Sequence, residues 1–151
     1  DTQFMPEHHM TRAMLTTVLY RAAGEPAVEP GSQSIFDDVD SESWYATAVC
    51  WAKQEGIIFG VEDGRFDPDG HITREQFVTM LHRFMDSPES NGSLEDFADA
   101  DQAEDYAGSA LQWAVAQGVI NGMGDGTLAP KGMATRAQVA QMMMKFMEQT
   151  M

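Results

Sequence analysis

Apolar residues recur at helical spacing in separate segments of the chain. One stripe has the spacing i, i+4, i+7 and i+8 of an amphipathic helix, and it consists of Trp44, Ala48, Trp51 and Ala52. Gly56 follows where a helix C-cap is expected. The segment from Val61 to Gly70 is dense in Gly, Asp and Pro, which predicts a loop. This part of the chain therefore reads as a helix followed by a glycine-rich loop.

Three further stripes each begin just after a Thr-Arg pair. Their apolar residues are Leu15, Val18 and Leu19 in the first, Phe77, Met80, Leu81 and Phe84 in the second, and Val139, Met142, Met143 and Phe146 in the third. Each stripe predicts a second type of helix, beginning at Thr11, Thr73 or Thr135. Because one helix pair buries little apolar surface, we expect the helices to pack together around a shared core.

The three Thr-Arg pairs belong to one motif that returns every 62 residues. Its copies are Phe4-Met5-Pro6 with Met10-Thr11-Arg12, Phe66-Asp67-Pro68 with Ile72-Thr73-Arg74, and Leu128-Ala129-Pro130 with Ala134-Thr135-Arg136. A fixed period indicates one supersecondary unit used repeatedly. The upstream half is present twice, once from Phe36 and once from Phe97, with one residue inserted near Gly108.

The repeat defines the predicted organisation. Residues 1–24 form the second half of a first repeat, and residues 34–86 and 94–149 form two complete repeats, all within one domain. Linkers are predicted at Glu25–Ser34 and Asp86–Ser93. The predicted fold class is all-α, with tandem helix-loop-helix repeats in a compact pseudo-threefold bundle whose first repeat is truncated at its N-terminal half. We expect the chain to be a fragment. The alternatives are that a partner chain fills the gap by self-association, or that the upstream half belonged to a longer parent protein.

Composition narrows the classes of function. The chain has 151 residues, 43% of them hydrophobic, and a net charge of −15. This charge argues against binding of nucleic acid, which requires Lys and Arg at phosphates, and against docking on an anionic membrane surface. No apolar run is long enough for membrane insertion. The single Cys50, between Val49 and Trp51, is predicted to be a buried thiol, and the twelve methionines are predicted to fill the core.

The Thr-Arg pair has one residue that helix capping explains and one that it does not. Thr73 with Gln76, and Thr135 with Gln138, predict capping boxes, whereas Thr11 has only Met14 at the matching position. Arginine is unfavourable in a first helical turn because the helix dipole is positive there. Two compensations are open for Arg12, Arg74 and Arg136. They pair with acidic residues of their own repeat, such as Asp38 or Asp99, or they form small anion sites with the helix N-termini.

Other chemistries have weak support. In Asp67-Pro68-Asp69-Gly70, which resembles the middle of a calcium loop, the alignment places Arg65 and Gln76 at essential ligand positions. His8, His9 and His71 lack the spacing of a metal site. The sequence also has no nucleophile elbow, P-loop or dinucleotide fingerprint. We therefore expect no metal, no cofactor and no enzyme activity.

The ordered motifs resemble those of the S-layer homology family. The middle repeat reads Phe36-Asp37-Asp38-Val39, Trp44, Gly56-Ile57-Ile58-Phe59-Gly60, Asp63-Gly64-Arg65-Phe66-Asp67-Pro68 and Thr73-Arg74-Glu75-Gln76. The last repeat gives Asp125-Gly126-Thr127-Leu128-Ala129-Pro130 and Thr135-Arg136-Ala137-Gln138, and the first gives Thr11-Arg12-Ala13-Met14. The resemblance covers most of the chain outside the linkers.

This resemblance implies an extracellular module on the cell surface of a Gram-positive-type envelope. Modules of the family bind secondary cell-wall polysaccharides noncovalently, often through ketal-pyruvate carboxylates, in grooves between adjacent repeats. By resemblance, the ligand-binding residues are Arg12, Arg74 and Arg136 as anion contacts, with Trp44, Gly56, Ile57, Gly118 and Val119 as groove lining. The two compensations described above are compatible if Asp38 and Asp99 orient the arginines, so both aspartates are included in the predicted site. Because tryptophan is usually buried in the core of a small helical domain, we expect Trp44 to be a core residue rather than a groove residue.

The chain also departs from the family pattern. Met14, Gln76 and Gln138 replace the motif glutamate, so we expect a charge partner for groove cations to be lost. With one residue inserted, Asp105 takes the position of Trp44 in the last repeat. The alternative function is a protein-interaction or self-assembly module of a surface protein, in which the arginines serve only internal pairing.

Overall fold

The structure is a computed structural model that describes most of the chain. It describes residues 10–28, 36–40, 42–58, 64–90, 92–95, 97–119 and 127–150, the last five by their backbone alone. Some sequence predictions lie outside these residues: those on Phe4-Met5-Pro6, on His8 and His9, on Gly60 and Gly122, and on the side chain of Phe146.

Five α-helices account for most of the regular structure among the described residues. They are α1 (Arg12–Ala22), α2 (Ala46–Gln54), α3 (Arg74–Phe84), α4 (Gly108–Ala116) and α5 (Arg136–Thr150). Two short 3-10 helices, Ala100–Gln102 and Asp105–Ala107, precede α4. Extended pairing in the described part is limited to the isolated bridges Thr11–His71 and Thr73–Met133. The all-α prediction is therefore confirmed.

The chain divides into two compact units whose limits cut across the sequence repeats. One unit is residues 11–71, and the other joins residues 1–10 to residues 72–151. In the first unit α1 packs against α2. Leu15 and Leu19 of α1 and Val49 of α2 are almost fully buried, and the rings of Tyr20 and Trp51 lie 5.5 Å apart.

The second unit contains the same pairing one repeat later. There α3 packs against α4, Phe77, Leu81 and Leu111 are fully buried, and the rings of His82 and Trp113 lie 5.4 Å apart. In both units, the second helix of one repeat packs against the first helix of the next.

A closed ring of backbone hydrogen bonds joins three residues at equivalent places in the repeats. The N–H of Met10 donates to Ala134 O (3.0 Å), that of Ala134 to Ile72 O (2.9 Å), and that of Ile72 to Met10 O (2.8 Å). All three side chains are buried. Each residue gives and accepts one bond, so the ring has the threefold pattern that the 62-residue period predicts. The arrangement of the whole chain about this ring stays a prediction.

Trp44 is not a core residue, contrary to the sequence prediction. Helix α2 begins only at Ala46, and Trp44 is 66% exposed. Asp40 closes a turn ahead of the helix, because its carbonyl oxygen accepts hydrogen bonds from the N–H (2.9 Å) and the hydroxyl (2.6 Å) of Ser43. The indole packs edge-on against Tyr45, with centroids 5.0 Å apart. The apolar stripe of α2 therefore lacks its predicted first member.

Sulfur-containing side chains fulfil the sequence predictions only in part. Cys50 is 2% exposed, which confirms the buried thiol. Met10, Met80 and Met142 are buried, as expected of core residues. Met85, Met133 and Met144 are exposed, so the prediction that the methionines fill the core is wrong for these three. Within the described residues, none of the helices combines the length and apolarity needed to cross a membrane.

Candidate functional site

The threonine of each motif caps its helix as predicted. Thr73 Oγ1 accepts from the N–H of Gln76 (3.2 Å) and Gln76 Oε1 accepts from the N–H of Thr73 (2.9 Å). Thr135 and Gln138 make the same two bonds at 3.1 Å. At α1 the N–H of Met14 donates to Thr11 Oγ1 (3.1 Å), but no capping box forms, because methionine lacks the side-chain oxygen that completes one.

The next N–H groups of α1 and α3 donate to carbonyls of the loop one repeat later. Arg12 N donates to Gly70 O (2.9 Å) and Ala13 N to Pro68 O (3.0 Å). In α3, the N–H groups of residues 74 and 75 donate to the carbonyl oxygens of residues 132 (2.9 Å) and 130 (3.0 Å). Because these N–H groups already have partners, the backbone at the start of α1 and α3 is not available to an anion. Anion binding by the arginine side chains stays a prediction.

The arginine side chains of α1 and α3 are buried against the same loop. Arg12 Nε donates to Phe66 O (2.8 Å), and Arg74 Nε donates to Leu128 O (2.9 Å). The guanidinium of Arg12 also lies 4.9 Å from the centroid of the Phe66 ring. The two residues are 8% and 5% exposed, whereas Arg136 is only partly buried. The repeated arginine thus joins consecutive repeats.

Asp38 and Asp99 each bind the backbone of the loop that the arginine of the preceding repeat contacts. Asp38 accepts hydrogen bonds from the N–H groups of Phe66 and Asp67, both at 2.8 Å. Asp99 accepts from the N–H groups of residues 128 (2.8 Å) and 129 (2.9 Å). Each aspartate therefore belongs to the repeat after that of the arginine it serves, so the predicted pairing within one repeat is wrong. The aspartate instead fixes the residue whose carbonyl the arginine binds.

The pKa values of Asp38 and Arg74, which belong to successive copies of this arrangement, are both lowered, but for different reasons. Desolvation acts to raise the pKa of Asp38, but the N–H groups of Phe66, Asp67 and Asp38 itself, together with Arg65, outweigh it and lower that pKa below its usual range. Arg65 Nε lies 3.8 Å from the carboxylate. For Arg74, desolvation by burial lowers the pKa, and the charge of Asp99 opposes the shift. No carboxylate among the described residues forms an ion pair with Arg74.

The glycine positions predicted to line a groove have a local structural role. Gly56 and Gly118 end α2 and α4 with a φ of 74° each, which favours glycine. The N–H of Ile57 donates to Ala52 O and that of Val119 to Ala114 O, both at 2.9 Å, as in a Schellman motif. Ile57 and Val119 are 2% and 1% exposed, so both pack in the core. Their part in a groove stays a prediction.

Tyr106 is an exposed aromatic residue that the sequence analysis missed. It lies in the 3-10 helix Asp105–Ala107 just before α4 and is 50% exposed. Trp44 lies just before α2 in the same relation, 62 residues earlier. The offset of 61 that holds upstream aligns Trp44 with Asp105. The offset of 62 that relates α2 to α4 aligns the two aromatic residues.

The sequence also offers no indication of a buried carboxylate in the first turn of α3. Glu75 is 1% exposed, accepts from the N–H of Glu104 (3.2 Å) and lies 3.4 Å from Lys131 Nζ. Lys131 also pairs with the carboxylate of Glu104. The expected loss of a charge partner is therefore wrong here, because Glu75 supplies one from the position before Gln76. Among the described residues, no cluster of histidine, cysteine and carboxylate side chains could hold a metal ion.

This geometry defines a class of protein, an all-α module in which arginine and aspartate clasp each loop to the helix of the preceding repeat. The family model of the S-layer homology domain matches residues 35–78 and 96–140, which together make up more than half of the chain. The chain therefore belongs to the S-layer homology domain family. This family is found in surface and cell-wall proteins.

Three relatives are similar in sequence over almost the whole chain. Exoglucanase XynX of Acetivibrio thermocellus is 32% identical over 99% of this chain and 14% of the relative. The cellulosome-anchoring protein of the same organism is 29% identical over 96% of this chain and 33% of the relative. The surface-layer 125 kDa protein of Lysinibacillus sphaericus is 32% identical over 91% of this chain and 12% of the relative. The chain thus spans a third or less of each of them.

Proposed function

We propose that this chain is a noncovalent cell-wall anchoring module that binds an anionic secondary cell-wall polysaccharide in grooves between consecutive repeats. Carboxylates, including those of pyruvate ketals, are the groups bound, and Arg12, Arg74 and Arg136 are their contacts. In this role the chain is not catalytic, although relatives named as an exoglucanase and an amylopullulanase contain a related segment.

The position of Arg74 is the observation that carries the proposal. Its guanidinium is buried at the junction between two repeats, and Nε is fixed by Leu128 O. Fixing one nitrogen orients the planar group, and a fixed guanidinium suits a bidentate carboxylate. Burial makes this cation costly, as its lowered pKa indicates, so an anionic ligand beside it would offset that cost. Arg12 repeats the arrangement against Phe66.

The test is cosedimentation with purified cell walls of Acetivibrio thermocellus and Lysinibacillus sphaericus, before and after the secondary polysaccharide is removed. We expect the wild-type protein to pellet only with untreated walls. Arg74→Lys keeps the charge but loses the Nε bond and the fork geometry, so it should bind at least about tenfold more weakly. Arg65→Lys makes the same charge-keeping replacement at a more exposed arginine of the loop region, and it serves as the matched control.

Folding must be checked because Arg74 is also a structural residue. Thermal unfolding and circular dichroism of each variant separate loss of binding from loss of structure. If a folded wild-type protein ignores both wall preparations, the anchoring proposal fails for this chain. The interaction-module alternative, tested by sedimentation of the chain alone, would then take its place.

A further inference from the structure

A second candidate site lies at the opposite end of α3 from Arg74. A cleft of about 480 Å³ is lined by side chains that include Thr79, Arg83, Glu89, Tyr106, Ser109 and Gln112. Arg83 is nine residues after Arg74, which is about 13 Å along a helix. The cleft is therefore separate from the arginine and aspartate clasp described above, and its volume is in the range of small-ligand sites.

The walls of the cleft are held in place from three sides. His82 Nε2 lies 2.8 Å from Pro88 O and, because a carbonyl only accepts, donates to it. This bond fastens the segment after α3 to the helix. The His82 ring also packs on Trp113 of α4, and α3 contacts the 3-10 helix that contains Tyr106. A site with fixed walls loses little freedom when a ligand binds.

The lining has the chemistry of a sugar site. The hydroxyl of Ser109 and the amide of Gln112 offer donors and acceptors to the hydroxyls of a ring. The Thr79 hydroxyl already donates to Glu75 O (2.7 Å), so it offers only an acceptor. Tyr106 is half exposed at the edge of the cleft, where its ring can pack against the C–H face of a sugar. Arg83 and Glu89 contribute one charge of each sign, so the lining favours an uncharged ligand over a strongly anionic one.

The same features recur in the other compact unit. Tyr20 takes the place of His82, and its hydroxyl donates to Pro26 O (3.0 Å) as His82 does to Pro88 O. The ring of Tyr20 packs on Trp51, and Trp44 is exposed in the position of Tyr106. Arg21 stands 62 residues before Arg83. The chain thus repeats an arginine, an exposed aromatic residue and a bond to a proline carbonyl at the same 62-residue spacing.

We propose that the cleft beside Tyr106 binds an uncharged hexose-type unit, with the sugar ring stacked on Tyr106 and its hydroxyls bonded to Arg83 and Gln112. This extends the anchoring function proposed above and rests on it: the cleft holds a neutral sugar of the polymer whose carboxylates bind at Arg74. In this arrangement the site at Arg74 recognises the charge of the polymer, and the cleft beside Tyr106, at the other end of α3, recognises the shape of a sugar ring.

The experiment is a titration of the isotope-labelled chain with three probes, glucose, N-acetylglucosamine and glucuronate, followed by amide NMR shifts. We expect the neutral sugars to shift the amides of Thr79, Ser109 and Gln112 with millimolar affinity. Tyr106→Ala should weaken binding at least about tenfold, whereas Tyr106→Phe, which keeps the ring, should stay close to wild type. Met144→Ala truncates an exposed side chain on α5 and is the control.

Three results would overturn the proposal. They are the absence of shifts at these amides with all three probes, equal affinity for Tyr106→Ala and wild type, and glucuronate binding at least about tenfold more tightly than glucose. The titration uses no cell wall and should succeed equally with Arg74→Lys. If walls fail to bind while the neutral sugars do, the anchoring proposal is lost and the cleft remains a sugar site.

Discussion

Arg74 and Asp99 hold one residue, Leu128, from two sides. Arg74 Nε donates to its carbonyl oxygen at 2.9 Å, and the Asp99 carboxylate accepts from its N–H at 2.8 Å. Asp99 also accepts from the N–H of Ala129, which has a φ of 51°. Since such a conformation is unfavourable for alanine, it persists only when its surroundings fix it. The aspartate, together with the hydrogen bond from Gly132 N–H to Ala129 O (3.0 Å), therefore stabilises the loop whose carbonyl the arginine binds.

Removing the acceptor of this clasp should destabilise the second unit. Asp99→Ala leaves the N–H groups of Leu128 and Ala129 without their partner, which should lower the free energy of unfolding by about 2 kcal/mol. Urea unfolding measures the difference. Asp101→Ala removes the same charge from an exposed position two residues away and should change little. Equal losses in the two variants would mean that net charge, not the clasp, determines stability.

Acid should weaken the equivalent clasp in the first unit. The pKa of Asp38 is lower in the folded than in the unfolded chain, so its stabilising contribution is fully present above the unfolded value, about 3.9. It is lost as pH falls through the folded value. We expect the difference in unfolding free energy between wild type and Asp38→Asn to be constant near neutral pH and to shrink below about pH 4. A difference that stays constant on acidification would contradict this assignment.

The capping residues and core stripes were predictable because they depend on local spacing. Thr73 with Gln76, and Phe77 with Leu81, follow from residues within one or two helical turns. The partner of Arg74 was not predictable in this way, because Leu128 O is a backbone atom 54 residues later and carries no side-chain signal. Periodicity shows that the arginines share one role but does not reveal which atom they bind.

Trp44 and Glu75 show two further limits of sequence reasoning. Trp44 fits the helical spacing, but a turn closed by Asp40 delays the helix and leaves the indole exposed. Glu75 occupies a position where the family motif has alanine, so no motif suggested a role for it. Only the fold brings Lys131, 56 residues later, within 3.4 Å of its carboxylate. Burial of a charge depends on distant partners, which spacing does not encode.

Lys131 should stabilise the second unit by neutralising Glu75. Lys131→Met leaves the almost fully buried carboxylate without its cation, so the free energy of unfolding should fall. Adding Glu75→Gln should restore part of the loss, and the double-mutant cycle gives the coupling between the two residues. Additive effects of the two substitutions would contradict the ion pair.

Alkaline pH gives an independent test of the same lysine. A hydrogen bond to Glu104, opposed by desolvation and supported by Glu75, raises the pKa of Lys131. The contribution of a group with a raised pKa is fully present below its unfolded value, about 10.4, and is lost as pH rises through the folded value. The stability difference between wild type and Lys131→Met should therefore persist at neutral pH and shrink above about pH 10.

Truncation of Trp51 should reduce stability, whereas truncation of Trp44 should reduce wall binding with little effect on stability. Trp51 is 6% exposed and packs on Tyr20, so Trp51→Ala should cost about 3–5 kcal/mol of stability. Trp44 is 66% exposed, so Trp44→Ala should cost less than about 1 kcal/mol while weakening attachment to cell walls. Thermal unfolding and cosedimentation on the same samples distinguish the two. A large stability loss in Trp44→Ala would show that the indole belongs to the core.

Salt should change wall binding in two opposite directions. The chain carries a net charge of −15, so its long-range field repels an anionic polymer even though the arginines attract carboxylates at contact. Moderate salt screens the long-range repulsion first, because the Debye length at 0.1 M is only about 10 Å, whereas buried contacts are screened much less. Cosedimentation measured against salt concentration should therefore rise, pass through a maximum and fall. A steady decrease from the lowest salt would mean that attraction, not repulsion, dominates the approach of the polymer.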